Sequence, residues 1–138
     1  MSVANRPVHR PLSPHLQVYK PQLTSVLSIL HRASGLWLSA FAFLFAGWLL
    51  AAALGAEAFA CLMAILASLP GRIVLALGLA AFWYHFFAGL RHLAWDAGFG
   101  FRKTTARRSG RVVVLLAALA FIATVLLTPA GRFLAGAP

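Results

Sequence analysis

The chain has 138 residues, of which 62% are hydrophobic and only 10% charged, where soluble domains carry roughly a quarter charged residues. Its formal charge of +10 comes from 12 Lys and Arg against the single Glu57 and the single Asp96. A mean hydropathy of +0.86 excludes an ordinary soluble domain, and basic residues confined to the ends and one loop argue against nucleic-acid binding, which needs a basic polar surface.

Residues 1–32 read as a cytoplasmic N-terminal segment and the start of a first helix. Pro7, Pro11, Pro14 and Pro21 interrupt the segment, and it has no apolar stretch of signal-peptide type. Leu16, Val18 and Tyr19 among its charges suit a membrane surface or a soluble partner. The segment ends in Ser28-Ile29-Leu30-His31-Arg32-Ala33-Ser34-Gly35. Spacings of i, i+3 and i+4 put Ser28, His31 and Arg32 on one helical face. A hydroxyl, an imidazole and a fixed cation at the edge of hydrocarbon form a site for a polar or anionic group, and such residues in membranes usually mark function.

Residues 33–138 read as a single all-α transmembrane anchor with three spans. Span 33–56 is uncharged and long enough to cross ~30 Å of hydrocarbon at about 1.5 Å per residue. The apolar piece 58–69 is too short to cross and meets Pro70-Gly71, a helix breaker, so it reads as an interfacial turn or short helix. Span 73–90 lies between Arg72 and Arg91 and is interrupted only by His85. Gly78, Ala81, His85, Ala88, Gly89 and His92 fall near one face, where small residues admit a neighbouring helix or a flat macrocycle. Imidazole is an ordinary axial ligand of haem iron. His92 lies two turns beyond His85, ~10 Å along the axis, so the two cannot bind one iron. Span 112–130 lies between Arg111 and Arg132. The lone Cys61 excludes an intrachain disulfide and a multi-cysteine metal cluster.

Charge sets the expected orientation. Arg6, Arg10, Lys20 and Arg32 precede or open the first span, and Arg91, Arg102, Lys103, Arg107, Arg108 and Arg111 separate the second from the third. Only Arg72 and Arg132 lie on the other side, so the positive-inside rule puts the N-terminus in the cytoplasm and the C-terminus outside. Plainer roles compete with function at each position. His85 can hydrogen-bond a neighbouring helix, Arg32 can snorkel as an anchor, Ser28 can back-bond to its own helix, and Asp96 can cap or pair with Arg91.

Two stretches carry a family resemblance. Arg10-Pro11-Leu12-Ser13-Pro14-His15-Leu16 followed by Ser28 to Gly35 resembles the N-terminal signature of the larger, cytochrome b membrane anchor of succinate dehydrogenase (complex II). His85 to Gly98, a histidine followed by Gly89-Leu90-Arg91-His92 and then Asp96, resembles that family's second signature. The likeness runs over residues 10–130 and is closest to the mitochondrial-type branch that some bacteria share. It implies a heteromeric helical bundle around haem b, with His85 as an axial ligand and thus a ligand of the haem iron. His31 and Arg32 match positions near the haem propionates, and Ser28 and Arg32 match residues of the ubiquinone pocket. The implied partners are a small membrane-anchor subunit, an iron–sulfur subunit, a flavoprotein subunit and the lipid bilayer. The implied place is the bacterial cytoplasmic membrane rather than the mitochondrial inner membrane.

The chain lacks a GxGxxG fingerprint and a cysteine cluster, so succinate oxidation would belong to the other subunits. His9 and His15 lie in the N-terminal segment, and His31 and His92 lie at the cytoplasmic boundary, where they are expected to miss the level of His85 by up to ~10 Å. A second axial histidine is therefore expected from another polypeptide, the small anchor by resemblance or a second copy of this chain. The rival readings are a cytochrome b anchor of another respiratory dehydrogenase, and a non-haem structural membrane protein or small transporter with His85 in helix packing.

Overall fold

The computed structural model describes residues 20–136. The prolyl segment through Pro14, the Arg10 to Leu16 signature, His9 and His15 lie outside the described residues. Five helices follow in order: α1 (Leu23–Leu54), α2 (Ala56–Ala67), α3 (Leu69–Asp96), α4 (Lys103–Leu127) and α5 (Pro129–Ala135). Three of them, α1, α3 and α4, are long and apolar enough to cross a membrane.

These three helices overrun the expected spans. With 32, 28 and 25 residues they extend ~48, ~42 and ~38 Å, well beyond ~30 Å of hydrocarbon. Apolar runs mark the lipid-immersed part of a helix, whereas hydrogen bonding carries the helix on into the polar boundary. Span 112–130 is also divided, because α4 stops at Leu127 and Pro129 opens the short α5.

The connections follow from local chemistry. Gly55 separates α1 from α2 at φ 113, a left-handed value that glycine adopts without strain. Pro70-Gly71 do not end a helix as expected; they lie in the first turn of α3, where proline's missing N–H costs nothing. Ser68 caps that turn by accepting from the Gly71 amide at 3.3 Å. The expected interfacial piece 58–69 is therefore the separate helix α2.

Helix α3 is central and packs against each of the other four. Its contacts rely on small residues, as expected where lipid supplies no hydrophobic drive between helices. Gly78 lies under the Phe41 ring of α1, and Gly110 of α4 faces the Leu27 side chain. Side-chain hydrogen bonds fix the register. Tyr84 donates to the Leu27 carbonyl at 2.7 Å, and the Trp83 indole donates to Thr124 Oγ1 at 3.0 Å. The buried apolar set is small, with Leu27, Ala51, Leu66, Ala88, Val113 and Ala117, while Leu36, Phe43 and Leu127 stay about four-fifths exposed. Such a surface suits lipid and partner helices.

Gly78→Leu should destabilise the α1–α3 pair by about 1–3 kcal/mol through overpacking against Phe41. Gly47→Ala, with open space around it, should leave stability unchanged. Thermal denaturation of the detergent-solubilised protein separates the two outcomes.

Candidate functional site

Leu27, His31 and Ser34 recur at helical spacing on α1; Leu27 and Ser34 are buried, Leu27 against Gly110 of α4, while His31 and Ser34 turn toward α3. His85 of α3 meets them. Its Nδ1 lies 3.2 Å from the His31 carbonyl oxygen and 3.1 Å from Ser34 Oγ. Ser34 itself donates to that same carbonyl at 2.8 Å. A carbonyl only accepts, so the proton of His85 must sit on Nδ1, shared between the carbonyl and the hydroxyl oxygen. Nε2 is then the nitrogen with a free lone pair.

The ring has little lateral freedom. A methyl group on Gly35 would come within 2.9 Å of His85 Cε1, so glycine gives the imidazole its place. His31 stacks on His85 with ring centroids 4.2 Å apart and planes 24° from parallel. His92 stacks on His31 in turn at 4.6 Å and 21°. Its Nδ1–H donates to the Ala88 carbonyl one turn earlier at 2.8 Å. His31 thus bridges the levels of His85 and His92, with its Nε2 buried and without a hydrogen-bond partner. Toward the membrane interior, α1 and α3 border a groove of about 370 Å³ lined by Ala33, Ser34, Trp37, Ala80, Ala81 and Tyr84 among others.

The expected single face of Ser28, His31 and Arg32 divides. His31 points into the α1–α3 contact, Ser28 is half-buried and Arg32 is exposed. Successive residues turn by about 100° around a helix. Ser28 and Arg32 therefore follow Leu27 and His31 on the neighbouring face of α1. The small-residue face of α3 divides similarly: Gly78 and Ala88 are buried, whereas Gly89 meets open space.

The expected partnership of Asp96 with Arg91 does not form. Five residues apart on one helix, they point in different directions. Buried Arg91 instead donates to the Ala106 carbonyl at 3.1 Å and lies 4.1 Å from the centre of the Trp95 ring. Sequence reasoning also passed over Ser34 and Gly35, although both close the stretch it singled out. Their spacing of three and four residues from His31 was the available signal.

Among the described residues, no three His, Cys, Asp or Glu side chains converge on one metal position. A metal held by His85 would need most of its ligands from elsewhere, as iron in a porphyrin has. Three long apolar helices with an oriented imidazole between two of them define a helical membrane protein built around an intramembrane histidine.

Comparison with known proteins makes this more specific. Residues 6–124 match the succinate dehydrogenase/fumarate reductase transmembrane subunit family. The chain is 43% identical over 106 residues to the succinate dehydrogenase cytochrome b556 subunit of Paracoccus denitrificans, covering 77% of this chain and 82% of that one. It is 37% identical over 122 residues to the cytochrome b560 subunit of Reclinomonas americana, covering 85% of each. A mitochondrial cytochrome B subunit from Schizosaccharomyces pombe is 34% identical over 125 residues, covering 85% of this chain and 68% of that one. The chain therefore belongs to the succinate dehydrogenase transmembrane subunit family, as a cytochrome b membrane subunit of complex II with three spans.

Gly35→Ala should displace the His85 ring and destabilise the α1–α3 contact by about 1–3 kcal/mol. The measurement is the thermal midpoint of the purified complex. An unchanged midpoint would show that the pocket around the ring is looser than the 2.9 Å approach implies.

Proposed function

We propose that His85 is an axial ligand of haem b, and that Ser28 and Arg32 form part of the site at which complex II reduces ubiquinone. The observation that carries this reading is the orientation of His85. Its Nδ1–H is committed to the His31 carbonyl and Ser34, which leaves Nε2 for iron, the arrangement usual for metal-bound histidine. The donor set agrees: among the described residues no three His, Cys, Asp or Glu side chains converge on His85, which suits an iron already held by a macrocycle.

Bound there, haem b supplies a one-electron carrier inside the membrane. The rest of the chemistry falls to side chains. His31 and Arg32 stand near the propionates, where a guanidinium pairs with carboxylates through charge-assisted hydrogen bonds. Ser28 and Arg32 face the quinone headgroup. A quinone oxygen gains negative charge as electrons arrive, so a hydroxyl donor and a fixed cation stabilise it while protons enter from the aqueous side. The exposure of Arg32 within this chain is consistent with a ligand or partner subunit covering it.

The second axial histidine comes from the small membrane-anchor subunit. His31 would not supply it in this arrangement, because its ring is already stacked face to face against His85, with centroids 4.2 Å apart. The iron–sulfur and flavoprotein subunits complete the complex and carry succinate oxidation. The basic residues of the α3–α4 connection and of the start of α1 support a cytoplasmic N-terminus, with the C-terminus outside a bacterial cytoplasmic membrane.

His85→Leu should abolish or convert the bis-histidine low-spin spectrum of the purified complex, while the chain still inserts. An unchanged spectrum would refute the ligand assignment and favour a histidine that only packs helices. Expressed without the small anchor, the chain should bind haem poorly or as a homodimer, and stoichiometric six-coordinate haem in a monomer would exclude a second subunit's ligand.

The quinone residues have their own test. Arg32→Leu should slow quinone reduction about a hundredfold, with Ser28→Ala acting in the same direction. Succinate oxidation by an artificial acceptor should persist in both. Arg32→Lys should remain impaired, because an ammonium cannot reproduce a planar fork. Equal losses in the two assays would mean failed assembly, and a silent Arg32→Lys would mean a membrane anchor.

A further inference from the structure

We infer that Ser34 is a positioning residue for the cofactor site: its hydroxyl, together with the His31 carbonyl, fixes the tautomer of His85 and makes Nε2 a stronger electron donor. The inference rests on the proposed role of His85 as an axial ligand and goes beyond it, because it assigns control of the bound iron to a residue that does not touch it.

Ser34 is buried at 8% exposure in an apolar contact between α1 and α3. A serine at such a depth can satisfy its hydroxyl by back-bonding within its own helix, and Ser34 does so toward the His31 carbonyl at 2.8 Å. That bond uses its proton. The oxygen lone pairs remain free, and His85 Nδ1 lies 3.1 Å away on the other helix. One hydroxyl therefore donates within α1 and accepts from α3. The direction is fixed at both ends, since the carbonyl cannot donate and the hydroxyl has only one proton.

The consequence is chemical. An acceptor on Nδ1–H draws the proton away from the ring, raises the basicity of Nε2 and holds the ring at one angle. A more basic ligand favours ferric over ferrous iron, so the hydroxyl lowers the haem midpoint potential and tightens haem retention. Loss of the hydroxyl leaves the His31 carbonyl as the sole acceptor for Nδ1–H. The effect should therefore sit near the lower end of the range for such partners, about tenfold in haem affinity.

The test uses the intact complex carrying Ser34→Ala, Ser34→Thr and Ser34→Cys, read by potentiometric titration of the haem spectrum and by haem loss to a scavenger. Ser34→Ala should raise the midpoint potential and weaken haem retention about tenfold. Ser34→Cys, similar in size but a poor acceptor, should shift the potential in the same direction. Ser34→Thr, which keeps the hydroxyl, should restore wild-type values. Potentials unchanged in both the alanine and cysteine variants would overturn the inference and leave Ser34 as a helix back-bond. His85→Leu, run in parallel, separates the two claims. If it spares the spectrum, the ligand assignment falls and this inference with it; if it alters the spectrum while Ser34→Ala does nothing, only the inference falls.

Discussion

The meeting of His85 with the backbone and hydroxyl of α1 sets the position of α3, and much of the bundle follows from it. In hydrocarbon a polar ring must find its hydrogen bonds inside the protein. His85 finds them only where α1 comes close, and α1 comes close because Gly35 has no side chain to hold the ring away. Neighbouring residues then pin α3 in turn: Tyr84 to the Leu27 carbonyl and Trp83 to Thr124 of α4. Turned by about 100° from one to the next, Trp83 reaches α4 while Tyr84 and His85 reach α1. Each such bond contributes about 1 kcal/mol or less in a membrane, so together they define register more than they supply stability.

Small residues make these contacts, and the large apolar side chains are left facing outward. Phe43 and Leu127 are more than four-fifths exposed, and among the described residues only six hydrophobic side chains are buried. For a soluble protein that distribution would be a fault. For a membrane subunit of a larger complex it is the expected one, since lipid and partner helices supply the contacts that a soluble core would provide internally.

The spans were legible because an uncharged run such as 33–56 has few other uses. The helix ends were less so. Hydropathy falls at Arg91, but α3 continues to Asp96, because Arg91 bonds Ala106 and stacks on Trp95 rather than facing water. Pro70-Gly71 looked like a stop and is a start, a distinction that depends on whether helical residues follow the proline or precede it. His85 stood out as the only residue of its apolar run that titrates near neutral pH. Ser34 did not, since serines within apolar helices commonly back-bond, and its second contact is made by a residue 51 positions away. That contact exists only in the folded chain.

His31 and Arg32 show how adjacent residues can serve two surfaces. The sequence presents them as one polar motif, yet a turn of about 100° sends His31 into the histidine stack and leaves Arg32 outside it. The separation has a chemical use in the proposed site. A guanidinium beside His31 in the α1–α3 contact would need buried acceptors, and the His31 carbonyl is already engaged by Ser34 and His85. Turned outward, Arg32 keeps its forked donors available for a carboxylate or a quinone oxygen from outside the chain. Rigidity falls to His31 and availability to Arg32. One helical step separates the residue that supports the proposed cofactor ligand from the one proposed to meet the substrate.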